Sequence, residues 1–447
     1  MRTRQLLTAG LVCGIAGGCG HGGTPGACLN HRNAGGRLAV YLAMPRYGAT
    51  LSQTAVRDTA RIMCERAREA GLKNVGVRRL GLDRIEVTGS PRSIGAVTGV
   101  GALSFYDWEP NLFVDLNGKV TRLAALEHAN PQQGIQVSNA GALPLFQAVE
   151  LASKQKPTAT ANDLPPDGPS KTVVRSYHGD RRLIRQYYDR RNDSSGEKYY
   201  LFGPAAKGGQ RQLIRPGGAS TAAGAPAPAN DASAYYASCG EIASDFNGAS
   251  ASGPSGGTAK APSGTACPGL AKALRGKGPP QGSVMVNVPR GIVVIKQEEI
   301  PGVPNKVPLG YYVLEDDSEL SGSDITDPKQ GSDPQTSEPI VFFQFTDAGR
   351  KAFARVTKRE ALRGQNLLAP GVPNQTKFQH FAISLDNQIV SLATVSYTDN
   401  PKGIPGSTGA QISGIGSLQQ THDLAQNLRT GALPVRLLLV RFRPATG

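Results

Sequence analysis

A chain of 447 residues with 39% apolar and 19% charged residues is long enough for two or three folded domains. Its 55 Gly and 32 Pro make up about a fifth of the sequence, against an average of about 12%, so part of it is expected to be linker. The net charge of +15 suits anionic surroundings such as phospholipid headgroups or wall polymers, and past the N-terminus no apolar run reaches the roughly 20 residues of a membrane-crossing helix.

The N-terminus has the parts of an export signal. Arg2 and Arg4 form a positive region, Leu6 to Ile15 an apolar stretch, and Ala16-Gly17-Gly18 a small-residue cleavage site ahead of Cys19. Residues 1–19 are therefore expected to direct export to an extracytoplasmic location. Ile15 to Cys19 also resembles a lipobox, which would make Cys19 a lipidated first residue anchored to the membrane surface; a plain secretory peptide cut nearby is the alternative. Either route leads to an oxidising compartment, where Cys28, Cys64, Cys239 and Cys267 allow three pairings. Cys239 with Cys267 is the favoured pair, because both stand in a Gly/Ser/Pro-rich stretch where a clip offsets chain entropy. Cys64 falls in a helical pattern and could equally be a buried free thiol.

After a Gly-rich stalk at 20–36, Arg37 to Ala43 alternates as a strand does. Thr50 with Gln53 has the form of a capping box, and Val56, Ala60, Met63, Ala67 and Ala70 recur at helical spacing before Gly71 stops the helix. Strands are predicted at 75–80 and 85–88 about a turn at Gly81, and again at 102–108. This order is the first half of a ferredoxin-like βαββαβ unit, assigned to 37–112. Its second half is predicted at 413–441, where Ser417 caps a helix carrying Leu418, Leu424, Ala425 and Leu428, Gly431 ends it, and 434–440 is a strand. The predicted fold class is thus α+β, with a ferredoxin-like base split between N- and C-terminal segments and everything else inserted between them.

Within the insertion, 113–215 is expected to be partly ordered, with a helix at 142–154 and amphipathic strands ending at Tyr199 to Phe202. From 216 to 265, Ala, Gly, Ser and Pro dominate, and that stretch is expected to be flexible. A compact α+β head is predicted over 266–412. Its strands are placed at 284–288, 292–296, 311–314 and 339–345, and Thr346 caps a helix at 347–358 that buries Phe353 and Val356. A hairpin, 381–385 with 388–392, turns at Asp386-Asn387, and a strand at 410–414 closes the unit.

Residue patterns for catalysis are weak. Gly253 to Gly257 matches G-x-S-x-G about Ser255 but lies in the low-complexity stretch, without the strand-to-helix turn that chemistry needs. The acidic run Glu315 to Glu319 lacks the spacing of a calcium loop, the six His are scattered, and no phosphate-binding Gly motif occurs. No enzyme, metal or cofactor is expected. The run Arg181 to Arg191 interleaves Arg with Tyr, but Asp180, Asp189, Asp193 and Glu197 make it a solvated face, so nucleic acid is not expected as a partner.

From Gly310 onward the motifs stand in an order that resembles the large extracytoplasmic domain of SecD, a protein translocase subunit. The block GYYVLEDDSELSGSDITDP leads into PIVFFQFTDAGRKAF, then the hairpin HFAISLDNQIVSLATV, then AQISG and LAQNLRTGALPV, with GLKNVGVRRLGLDRIEVTG as an upstream counterpart. LRTGALPV is the most specific. The family's Pro after the hairpin is replaced by Leu392-Ala393, its early DLQGG by AGGRLAVYLA, and the chain stops where the family enters a further membrane helix. The resemblance implies a base with an inserted head that binds exported or unfolded polypeptide, alone or with Sec translocase membrane subunits, and without a proton-coupled motor of its own. Phe342, Phe353, Phe381 and Tyr397 of the head are the candidate polypeptide contacts, with core packing the default for the first three. The alternative is a structural envelope lipoprotein that keeps the fold without the export role.

Overall fold

The computed structural model describes residues 36–45, 51–72, 74–99, 101–132, 141–156, 197–206, 209–214, 278–299 and 308–444, with single positions at 232, 235, 236, 239, 242, 243, 246, 267 and 270. The signal segment with Cys19, the stalk, Ser255 and the Arg/Tyr run at 181–191 lie outside the described residues.

The chain opens with β1 (Arg37–Pro45), α1 (Gln53–Glu69), β2 (Gly76–Leu80), β3 (Arg84–Gly89) and α2 (Pro91–Thr98). Ser52, rather than the expected Thr50, caps α1, its hydroxyl accepting from the Ala55 N–H. Next come β4 (Leu103–Asp107), α3 (Trp108–Asn111), β5 (Leu112–Leu116), β6 (Lys119–Arg122), α4 (Leu123–Ala129) and α5 (Leu145–Ser153). Five strands follow: β7 (Lys198–Phe202), β8 (Leu213–Ile214), β9 (Val284–Val288), β10 (Ile292–Gln297) and β11 (Gly310–Glu315). Then β12 (Leu320–Ser321), β13 (Ile325–Ser332), β14 (Pro339–Phe345), α6 (Asp347–Gln365) and α7 (Asn374–Lys377) lead to the hairpin β15 (Gln379–Leu385) and β16 (Gln388–Val395). The chain closes with β17 (Ala410–Ile412), α8 (Leu418–Thr430) and β18 (Val435–Pro444).

The first and last elements meet. β18 pairs antiparallel with β1 from Arg37 against Pro444 to Pro45 against Val435, and the four-stranded sheet runs β18-β1-β3-β2. Val77, Ile85 and Val87 point from this sheet into a core shared with Met63 of α1 and with Ile94 and Val97 of α2. The second helix of this unit is therefore α2, and not the C-terminal helix assigned to it from sequence. α2 is only eight residues long with a central Gly95, too short to show a helical period, although Ser90 as cap and Pro91 at the first turn are start signals. α8 instead packs its Leu424, Ala425 and Leu428 against Val341, Phe343 and Ile412 of the three-stranded sheet β13-β14-β17.

A second reassignment concerns β4. It was expected in the base, but it pairs with β15 from Phe381 against Asp107 to Leu385 against Leu103, inside an eight-stranded sheet ordered β12-β4-β15-β16-β10-β11-β5-β6. The 103–122 segment and the head strands thus form one sheet, held by pairs 200 to 280 residues apart in sequence that no local pattern could announce. Asp386 and Asn387 turn its hairpin with φ of 52° and 63°, the left-handed pair of a type I′ turn.

β8-β7-β9 form a small sheet of their own. Described residues of the stretch expected to be flexible pack on it: Tyr236, Ile242 and Phe246, with Leu270 of the following segment, are buried against Tyr199, Leu201 and Met285. Tyr236 also exchanges backbone hydrogen bonds with Tyr199. Aromatic and aliphatic residues spaced through a small-residue background are enough to seat it, a signal that bulk composition averages away. Among the described residues no helix is long and apolar enough to cross a membrane.

Candidate functional site

Two constellations lie where the N-terminal sheet, the eight-stranded sheet and α8 converge, and a third lies between α6 and the end of β4. The first is a crossing point. The chain leaves the four-stranded sheet after α2 and returns to it after α8, and Arg66 of α1, fully buried, holds both passages. Its guanidinium donates to the carbonyls of Val97 and Gly99 on the outgoing strand, and to the Gly431 carbonyl (2.7 Å) and Thr430 Oγ1 (2.9 Å) on the return. Gln426 donates to the Arg66 carbonyl at 3.0 Å. Burial pulls the guanidinium down to about 10, partly offset by the negative charge of Asp386. Asp386 secures the same passage from the other side, accepting from the Gly101 and Ala102 N–H groups at 3.1 and 2.8 Å. In sequence Arg66 is one cation on a helix and Asp386 one turn residue, so neither stands out.

Beside this crossing lies a cavity of about 310 Å³, walled by Gly101 to Ser104, the loop from Asp316 to Ser323, and Leu428 to Ala432 at the end of α8. Its polar floor is buried. Lys198 Nζ donates to the Ile292 carbonyl (2.9 Å) and stands 3.8 Å from Asp316, which accepts from the Tyr106 hydroxyl at 2.9 Å. Ser104, Ser318, Ser321 and Ser323 line the sides. Serine hydroxyls and the charge pair share the lining with Leu103, Tyr235, Val293 and Leu428, so the cavity offers polar and apolar surface together. Three carboxylates of the acidic run Glu315 to Glu319 are paired internally: Glu315 with Arg122, Asp316 as above, and Glu319 with Arg359.

The third constellation is a buried charge network between α6 and the segment Asp107 to Glu109. Arg363 donates to both carboxylate oxygens of Asp107 (3.1 and 2.5 Å) and to Glu109 (3.3 Å), while Arg359 donates to Asp107 at 3.1 Å. Glu109 also accepts from the His380 backbone N–H at 3.1 Å, and His380 Nδ1 lies 2.6 Å from its other oxygen. Gln379 accepts from Arg363 Nε and donates to Glu127 at 3.2 Å. Glu360 is fully buried with neither carboxyl oxygen hydrogen-bonded, and Glu127 keeps one oxygen in the same state. Burial pushes the Glu127 carboxyl up to about 8, aided by the charge of Glu109; burial and the charges of Asp107 and Glu109 push Glu360 well above the usual range. Burial also acts upward on Glu109, but His380 and Arg363 outweigh it and hold it below its usual value. α6 outruns its predicted end by two turns because its buried face there carries Thr357, Glu360 and Arg363, which break the apolar period.

The residues singled out from sequence fare differently. Phe353 and Phe381 are core: they meet edge to face at 5.7 Å, with Phe105 stacked on Phe381 at 5.5 Å and Phe345 on Phe353 at 4.7 Å. Neither can meet a polypeptide, since the pattern that made them prominent is the pattern of a packed interior. Phe342 and Tyr397 are half-buried. Cys239 and Cys267 are joined by a disulfide with Cα atoms 5.7 Å apart. Cys64 is disulfide-bonded as well, which corrects the free-thiol reading.

Residues 297–435 match the family model of the SecDF P1 head subdomain. The protein translocase subunit SecDF of Brucella abortus is 33% identical over 136 residues, 30% of this chain and 15% of that protein. The SecD subunit of Rickettsia bellii is 28% identical over 161 residues, 36% of this chain and 25% of that protein. That of Acidaminococcus fermentans is 32% identical over 135 residues, 30% and 27% respectively. The matched stretch thus spans no more than about a quarter of these relatives' length. Among solved structures, SecDF in a super-membrane-facing form is similar over 93% of this chain and 32% of that one, at 13% identity and a TM-score of 0.36.

Proposed function

With residues 297–435 belonging to the SecDF P1 head subdomain family, we propose that this chain is a non-enzymatic, SecD-type extracytoplasmic domain that assists protein translocation by holding exported or unfolded polypeptide. The observation that carries this reading is positional: part of the family-matched segment, the Asp316 to Ser323 loop and the end of α8, supplies two walls of the cavity beside the crossing point. An extended segment entering there meets serine hydroxyls and backbone groups that accept any sequence, as a translocation accessory requires.

On this reading β1, α1, β2, β3, α2 and β18 are a ferredoxin-like base, the eight-stranded and three-stranded sheets are the head, and the small sheet is an inserted module. A lipid on Cys19 would hold the domain at the outer membrane surface, beside Sec translocase membrane subunits that it does not itself replace. Phe342 and Tyr397, being only half-buried, remain available as secondary polypeptide contacts.

The test is site-specific photocrosslinking in cells carrying a stalled secretory precursor. A probe at Ser321 on the cavity wall is expected to yield an adduct with the precursor, and one at the exposed Leu82 of the β2–β3 turn none. Equal yields at the two positions, or none at Ser321, would remove the support for polypeptide binding at this cavity.

A further inference from the structure

We propose that Glu127 and Glu360 hold protons in the folded protein and make the joint between α6 and the Asp107 to Glu109 segment a proton-gated latch. The geometry carries the inference. Two carboxyls sit in the core with three oxygens lacking any hydrogen-bond partner, around a guanidinium already committed to Asp107, Glu109 and Gln379. An ionised carboxylate in that state is costly, whereas a neutral carboxyl is tolerable.

Charge balance points the same way. The groups facing the pair are Asp107 from β4, Glu109 from α3, Arg359 and Arg363 from α6, Gln379 and His380 from β15, and Glu319 from the loop before β12. With Glu127 and Glu360 protonated, three carboxylates face two guanidinium groups. With both ionised, five carboxylates face the same two guanidinium groups, and their repulsion falls across the α6 joint. No covalent step is involved: the ligand is the proton, taken from and returned to solvent.

Loss of these protons therefore loosens α6 and β15 while the sheets on either side keep their apolar cores. The whole chain is tested by amide hydrogen exchange of peptides covering 347–385, corrected for intrinsic rates, between pH 6 and pH 9. Protection in the unaltered protein is expected to fall by about tenfold or more, the equivalent of one pKa unit of differential stabilisation. In the E127Q/E360Q double variant, which keeps the shape of the neutral carboxyls, it should stay level. Equal protection at the two pH values in the unaltered protein, or an undiminished fall in the double variant, overturns the proposal. Infrared spectroscopy decides without any variant: a protonated-carboxyl carbonyl band is expected at pH 7 and should fade by pH 9, and its absence at pH 7 overturns the proposal independently.

Discussion

Glu360 takes a whole carboxyl into the core with no hydrogen bond to either oxygen, and Glu127 takes half of one. Such groups link folding to proton binding. The folded chain retains a proton on Glu127 up to about pH 8, while the unfolded chain releases it near the usual 4.5. Between those values the folded state binds more protons than the unfolded, so stability falls as pH rises, by about 1.4 kcal/mol per pH unit for each retained proton. Urea denaturation should show the unaltered protein losing stability from pH 5 to pH 8, and E127Q should lose less, matching it near pH 5 and exceeding it at pH 8. A flat or rising profile in the unaltered protein would contradict the assignment. None of this was legible in the sequence, where Glu127 and Glu360 are ordinary charges on helices; partners from β4, α3 and β15 define them.

At the scale of elements, the side chains that carry the architecture are the ones joining segments distant in sequence. Arg66 holds residues 97–99 and 430–431 to one helix, so Arg66→Ala leaves the carbonyls of Val97, Gly99 and Gly431 short of a donor. A loss of about 3 kcal/mol or more is expected by urea denaturation, with exchange protection falling first at 97–102 and 430–433. Arg66→Lys should recover only part of it, since one ammonium cannot span both passages. The disulfide acts on another element pair. Cys239 and Cys267, 28 residues apart, join near described residues that pack on β7 and β9. Replacing both by Ser should cost about 3–4 kcal/mol by loop-closure entropy, read as a lower denaturation midpoint under oxidising conditions and no difference under reducing ones. Individual elements were largely legible: the helix caps at Thr346 and Ser417 and the Asp386-Asn387 turn all stand where local chemistry put them. α2 and the last turns of α6 were not, one being too short for a period and the other burying polar groups.

For the whole molecule, the question is which parts of the chain share a sheet. Closing the four-stranded sheet with β18 requires the two ends of the described chain to meet, and closing the eight-stranded sheet requires β4 and β5 to leave their sequence neighbours for β15 and β11. Although β12 and β13 went unpredicted, local signals were enough for the mixed α/β character, the split of one sheet between the two ends of the described chain, the strands β11 and β14, the β15–β16 hairpin and the resemblance from Gly310 onward. These rest on residue period, caps and turn residues, which act within a few positions. Long-range packing instead put β4 with the head strands, set α8 on the three-stranded sheet and fastened α6 through a buried acid network. The β4 pairing and the acid network join residues roughly 250 to 280 positions apart, where burial and charge compensation, and not local preference, set the free energy.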